Sequence, residues 1–146
     1  GVECVGDIDG YDIFEVVSLA AASLATISDK YMLDVSHMGI LSATMDAAGV
    51  SDDFRRAYAP LLSARNSHES ERLCKDFALS CEATEALCAL PALYGAPEKV
   101  LPALAPLCTG DAAKKAYDEL SALCALLAAG AFPFRGGEKP DTCGGQ

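Results

Sequence analysis

The chain has 146 residues, 51% of them hydrophobic, with no tryptophan, a formal net charge of −10 and a pI near 4.4. That length predicts one domain able to bury a core without staples, and that apolar content excludes disorder over most of the chain. Eleven basic residues scattered among twenty-one acidic ones exclude the basic face of a nucleic-acid binder, and such acidity bears on solubility rather than fold.

No apolar run reaches the roughly 18 residues of a membrane helix. The best run, Val16 to Ile27, is shorter and is interrupted by Ser18, Ser23 and Thr26. No signal peptide opens the chain. It starts on Gly1 rather than Met, so an excised fragment or a processed end is expected. The seven cysteines are Cys4, Cys74, Cys81, Cys88, Cys108, Cys124 and Cys143. Their odd number, and their placement inside apolar helical patterns, point to reduced intracellular thiols used as small hydrophobes rather than to a disulfide framework.

In chain order, Val2 to Ile8 reads as a short strand with apolar residues on both faces, broken by Asp7, Asp9 and Gly10. Asp9 is placed to cap a helix from about Gly10 to Ile27, whose stripe includes Ile13, Val16, Val17, Ala20, Leu24 and Ile27. Tyr31 to Val35 reads as a second strand, joined to the first through that helix. The pattern leaves open whether the two are neighbouring parallel strands or members of a mixed sheet. Ser36 is placed to cap the next helix, through Ile40, Leu41, Thr44 and Met45, with Gly49 at the left-handed position past its end.

After Gly49 every segment reads as helix. One starts at Ser51 and carries Phe54, Tyr58, Leu61 and Leu62, with Pro60 expected to kink it or begin a new helix. Asn66 with Glu69 forms a box-like start for a helix through Leu73 and Phe77. Ser80 starts another through Leu87 and Leu90, and Pro97 fits the first position of the next, which Pro102 and Pro106 keep short. The clearest helix runs from about Asp111 to Ala129 and stops at Gly130. The expected division is therefore 1–49 with two strands and two helices, 50–130 as a helical subdomain, and 131–146 as a Gly- and Pro-rich tail. The expected class is α+β, predominantly helical.

No hydrolase elbow, phosphate loop, metalloprotease helix or zinc knuckle occurs, and no cofactor or metal is expected. GDIDG lacks the ligand series and terminal Glu of a calcium loop, so a turn with a helix cap is the simpler reading. Cys74, Cys81 and Cys88 lie seven apart, but the start signal at Ser80 breaks the helix that would align them, and no CxxC pair suggests metal. His68 lies in a polar helix start, and His37 reads as a buried, hydrogen-bonded histidine. Glu3 stands out as a carboxylate inside an apolar strand, a costly placement unless it faces solvent, pairs with a cation or meets a cationic ligand group.

Gly1-Val2-Glu3-Cys4-Val5-Gly6 is similar to the end of the Gln-x-Gly-x-Glu strand of class II histidyl-tRNA synthetases and their paralogues, and Asp12-Ile13-Phe14-Glu15-Val16 is similar to the helix start that follows it. Leu33-Asp34-Val35-Ser36-His37-Met38-Gly39 stands where true synthetases tend to have an Asn-Ser-Leu-Gly-like turn. That version resembles the histidyl-tRNA-synthetase-like regulatory subunit of ATP phosphoribosyltransferase. Ala86 to Gly95 resembles that paralogue's LxxLPxLYG helix end, and Ala113 to Ala129 the helix closing its insertion.

The resemblance covers about residues 1–130. It implies part of a class II synthetase-like core sheet, two strands with helices, plus an inserted helical subdomain. It implies a non-catalytic, cytoplasmic fragment of a subunit that joins the short catalytic subunit of ATP phosphoribosyltransferase, self-associates in the full protein, and takes histidine as effector in the first step of histidine biosynthesis. By the motif match, Glu3 is the histidine contact. The arginine-bearing second motif would precede Gly1, while the third motif and the Tyr-Tyr histidine loop are absent, so a complete histidine or ATP site is not expected here. Phe134-Arg135-Gly136 and Gly144-Gly145-Gln146 only faintly match the flanks of that loop. The competing readings are a fragment of a true histidyl-tRNA synthetase and an unrelated helical interaction module.

Overall fold

The computed structural model of the protein describes residues 2–130. Its first helix, α1 (Gly10–Ala25), begins where Asp9 turns extended and its carboxylate accepts from the Asp12 and Tyr11 N–H groups at 3.0 and 2.8 Å. Asp12 reciprocates, accepting from the Asp9 N–H at 2.9 Å, which completes a capping box built from two aspartates. The donated N–H groups of Asp12 and Tyr11 hold the Asp9 carboxyl below the ordinary carboxylate range. GDIDG is thus a turn with a cap.

Six further helices follow: α2 (Met38–Ala47), α3 (Asp52–Ser63), α4 (Ser67–Asp76), α5 (Cys81–Ala89), α6 (Pro97–Leu104) and α7 (Asp111–Ala129). Ser51, Asn66 and Ser80 cap α3, α4 and α5 through their side-chain oxygens, and Pro97 opens α6. Single 3₁₀ turns, Leu90–Ala92 and Ala105–Leu107, prolong α5 and α6 at the prolines that end them. Gly130 closes α7 at the expected place.

Three helices end in the same motif. After α2, α3 and α4, the residue past the cap adopts positive φ: Gly49 at 63°, Arg65 at 52° and Ala78 at 53°. At each, the paired backbone bonds of a Schellman end form, as in Arg65 N–H to the Leu62 carbonyl at 3.0 Å and Asn66 N–H to the Leu61 carbonyl at 2.9 Å. Only Gly49 announces such an end in the sequence, because arginine and alanine seldom occupy this region.

Several expectations are corrected. No strand occurs among the described residues, so the sheet of two strands is not seen and the class there is all-α rather than α+β. A strand exists through a neighbour that completes its ladder. Val2 to Ile8 is exposed along its length, with Val5 at 94%, and among the described residues no backbone hydrogen bond ties it to another segment. Tyr31 to Val35 does alternate in burial as a strand would, yet its backbone likewise meets no partner strand. Pro60 neither kinks α3 into two nor starts a helix. It sits in the last turn, where its missing N–H removes a single bond to the Arg56 carbonyl and the helix ends three residues on. The cap of α2 is His37, not Ser36. At α4 only half of the expected box forms: Asn66 caps the Glu69 N–H at 3.1 Å, while the Asn66 N–H is already given to Leu61.

The helices enclose two apolar clusters. In the first, Ile40 of α2 and Leu104 of α6 pack with Cys108 and with Ala113, Ala116, Leu120 and Cys124 of α7. In the second, Met45 of α2 packs with Phe54 and Tyr58 of α3, Cys74 of α4 and Leu87 of α5. α2 therefore lies between both, one turn facing each. Phe54 stacks on Tyr58 with centroids 5.7 Å apart and meets Phe77 edge-on at 5.4 Å. The buried Tyr58 hydroxyl donates to the Leu87 carbonyl at 2.5 Å. In an unbroken helix that carbonyl would accept from the N–H four residues on, but that residue is Pro91, which has none. The tyrosine supplies the donor that proline withholds.

Candidate functional site

Two of the segments that carry the resemblance, Leu33–Gly39 and Ala86–Gly95, contribute residues to one groove. It is lined by residues 32–38, by Leu62, Ser63 and Arg65 at the end of α3, by Leu90 to Pro97 apart from Ala92, and by Leu120 and Cys124 of α7. The groove has a volume of about 490 Å³ and is lined mostly by apolar side chains.

Asp34, Arg65 and Tyr94 cluster within it. The Arg65 guanidinium lies over the Tyr94 ring, 3.5 Å from its centroid, a cation–π contact. The Tyr94 hydroxyl donates to Asp34 Oδ1 at 3.1 Å and lies equally near the Met32 sulfur. Asp34 Oδ2 stands 3.8 Å from the guanidinium, near enough for attraction but beyond hydrogen-bond length. Arg65 stands at positive φ just past the end of α3, and its guanidinium reaches this cluster. Asp34 and Tyr94 belong to the quoted motifs, although no local pattern singles them out. Arg65 carries no local signal, since its importance arises only when the end of α3 meets Tyr94.

His37 lies beside the cluster, half-buried and bonded at both ring nitrogens. Nδ1 accepts from the Gly39 N–H at 3.1 Å, which places the ring proton on Nε2, and Nε2 donates to Glu119 Oε2 of α7 at 2.9 Å. One side chain thereby caps α2 and ties it to α7. A Cβ at Gly39 would meet His37 Cε1 at 2.8 Å, His37 Nδ1 at 2.9 Å and the Ala116 Cβ at 3.2 Å. The His-x-Gly spacing is thus a packing unit, in which glycine leaves room for the capping imidazole and for α7.

The remaining sequence candidates, Glu3, His68, Cys74, Cys81 and Cys88, do not line the groove. Glu3 is exposed, does not line the groove, and makes no salt bridge among the described residues. His68 is exposed in the first turn of α4, 3.9 Å from Glu69. Cys74 and Cys88 lie on separate helices, α4 and α5, broken at Ser80 as the start signal predicts. Cys74, Cys108 and Cys124 are buried free thiols, and burial pushes the Cys74 thiol up to about 11. Among the described residues no group of three or more His, Cys, Asp or Glu is arranged to hold a metal ion, and no helix is long and apolar enough to cross a membrane. Phe134-Arg135-Gly136, Cys143 and the tail 131–146 lie outside the described residues.

Comparison with known proteins assigns the family. The family model described as histidyl-tRNA synthetase matches residues 1–134. The chain is 32% identical over 96 residues to the ATP phosphoribosyltransferase regulatory subunit of Desulfitobacterium hafniense strain Y51, covering 65% of this chain and 25% of that protein. It is 27% identical over 128 residues to the protein of that name from Geobacter metallireducens, covering 87% and 29%. With its namesake from Alkaliphilus metalliredigens it shares 25% identity over 134 residues, covering 90% and 34%. The chain therefore spans a quarter to a third of the length of the curated relatives it matches. No solved structure matches. With residues 1–134 matched by that family model, the chain belongs to the histidyl-tRNA synthetase family.

Proposed function

We propose that this chain is part of a regulatory subunit of ATP phosphoribosyltransferase, a non-catalytic, cytoplasmic protein serving the first step of histidine biosynthesis. The observation that carries this reading is that the matched relatives bear that name while the family model covers residues 1–134. The full protein joins the short catalytic subunit, self-associates, and transmits feedback by binding histidine, which favours one assembly state over another. Glu3 contacts the histidine ammonium; its carboxylate is exposed and free of salt bridges among the described residues, hence available to a cation. In this reading residues 1–49 belong to the synthetase-like part, 50–130 to the helical insertion and 131–146 to a tail.

The test uses the full-length protein. Histidine binding is measured calorimetrically for the native sequence and for Glu3→Ala, with and without the catalytic subunit, and phosphoribosyl transfer is assayed in the reconstituted complex. The expected result is weaker histidine binding in the variant and activation of the catalytic subunit by the native protein. Unchanged affinity removes Glu3 from the site, and failure to activate removes the regulatory assignment. Charging of tRNA by the full-length protein would instead establish a true synthetase.

A further inference from the structure

We infer that the groove holding Asp34, Arg65 and Tyr94 is a binding site for a free α-amino acid with an uncharged, apolar or aromatic side chain. This site is separate from Glu3, and the inference does not rest on that residue's role. Asp34 and Arg65 present opposite charges 3.8 Å apart at one groove, too far apart to satisfy each other by a hydrogen bond. Both are steadied by the same residue: the Tyr94 ring lies beneath the guanidinium at 3.5 Å, and its hydroxyl holds Asp34 Oδ1 at 3.1 Å. Among the described residues no hydrogen bond uses Asp34 Oδ2 or the Arg65 guanidinium N–H groups, which stand side by side.

An α-amino acid carries its ammonium and carboxylate on one carbon. Its two charges can therefore meet Asp34 and Arg65 together, each in a charge-assisted hydrogen bond. A monovalent acid or amine satisfies one and leaves the other facing it unpaired.

The rest of the groove sets the side-chain class. Its volume of about 490 Å³ lies within the roughly 300–1,000 Å³ of small-molecule pockets. Among the described residues, the one other imidazole, carboxylate or cationic side chain lining it besides Asp34 and Arg65 is His37, already engaged with Gly39 and Glu119. Val35, Leu62, Leu90 and Leu101 offer apolar surface, so a second charge on the ligand would lose water without gaining a partner.

The experiment is calorimetric titration of the full-length protein with L-leucine and L-phenylalanine, beside N-acetyl-L-leucine, L-leucinamide and L-lysine. Both free apolar amino acids are expected to bind with a Kd of about 1 mM or tighter, and blocking either charged end to weaken binding about tenfold or more. Lysine is expected to bind more weakly than leucine. Asp34→Asn and Tyr94→Phe should each lose about tenfold in leucine affinity, while Glu3→Gln should leave it unchanged. No binding of leucine or phenylalanine, or equal binding of the acetylated and amidated forms, overturns the inference even if Asp34→Asn fails to fold. Loss in Glu3→Gln with retention in folded Asp34→Asn overturns the groove site and assigns amino-acid binding to Glu3 instead.

Discussion

Tyr58 joins two helices by answering a defect in one of them. Its hydroxyl is buried and bonded to the Leu87 carbonyl that Pro91 leaves without a partner. Tyr58→Phe keeps the stacking on Phe54 and removes only that donor, leaving a buried carbonyl unsatisfied. The expected loss is about 1–3 kcal/mol, read from the urea midpoint at constant m-value. Neither member of this pair announces the other in the sequence, because they stand 29 positions apart and the proline's deficit matters only once α3 and α5 are packed. The same holds for His37 and Glu119, 82 positions apart. What the sequence did show at this scale were the caps Asp9, Ser51, Asn66 and Ser80, whose partners lie two or three residues away.

At the scale of elements, the contact between α2 and α7 depends on the space beside Gly39. Gly39→Ala drives a methyl into the His37 ring and toward Ala116, so it should break the cap and the Glu119 tie together. The expected cost is about 1–3 kcal/mol. In a double-mutant cycle with His37→Ala, the second substitution should cost much less once the first is made, since both remove the same unit. Unfolding of the two single variants and the double variant measures that coupling; additive losses would show that the glycine and histidine act separately. The seven α-helices of the described residues are largely legible because their periodicity and stop signals are local. The strands were not: Tyr31 to Val35 has the alternation of a strand, but alternation describes two faces and says nothing of an edge to pair with. The effect of Pro60 is not legible for a related reason, since it depends on how near the helix end already lies.

For the molecule as a whole, the second apolar cluster makes stability sensitive to alkali. The Cys74 thiol is held up to about 11 by burial, with Cys88 adding to the shift, and burial raises the Tyr58 phenol further still. An acid whose folded pKa is raised contributes fully below its unfolded pKa, here 9.0 for the thiol, and that contribution is lost as pH climbs toward the folded value. Denaturant melts are therefore expected to be level between pH 7 and 8 in this respect and to lose roughly 2–3 kcal/mol by pH 11 through Cys74, a loss that Cys74→Ser should diminish. The helix ends carry a different implication for the whole chain. Arg65 and Ala78 hold the same left-handed turn, yet only Arg65 reaches a neighbour with its side chain. Ala78→Gly should relieve about 1 kcal/mol of backbone strain, read as a raised Tm, whereas Arg65→Gly would surrender the Tyr94 contact. The protein thus holds an unspent margin of robustness at one turn, open to drift or engineering, while the twin turn beside the groove has no such freedom.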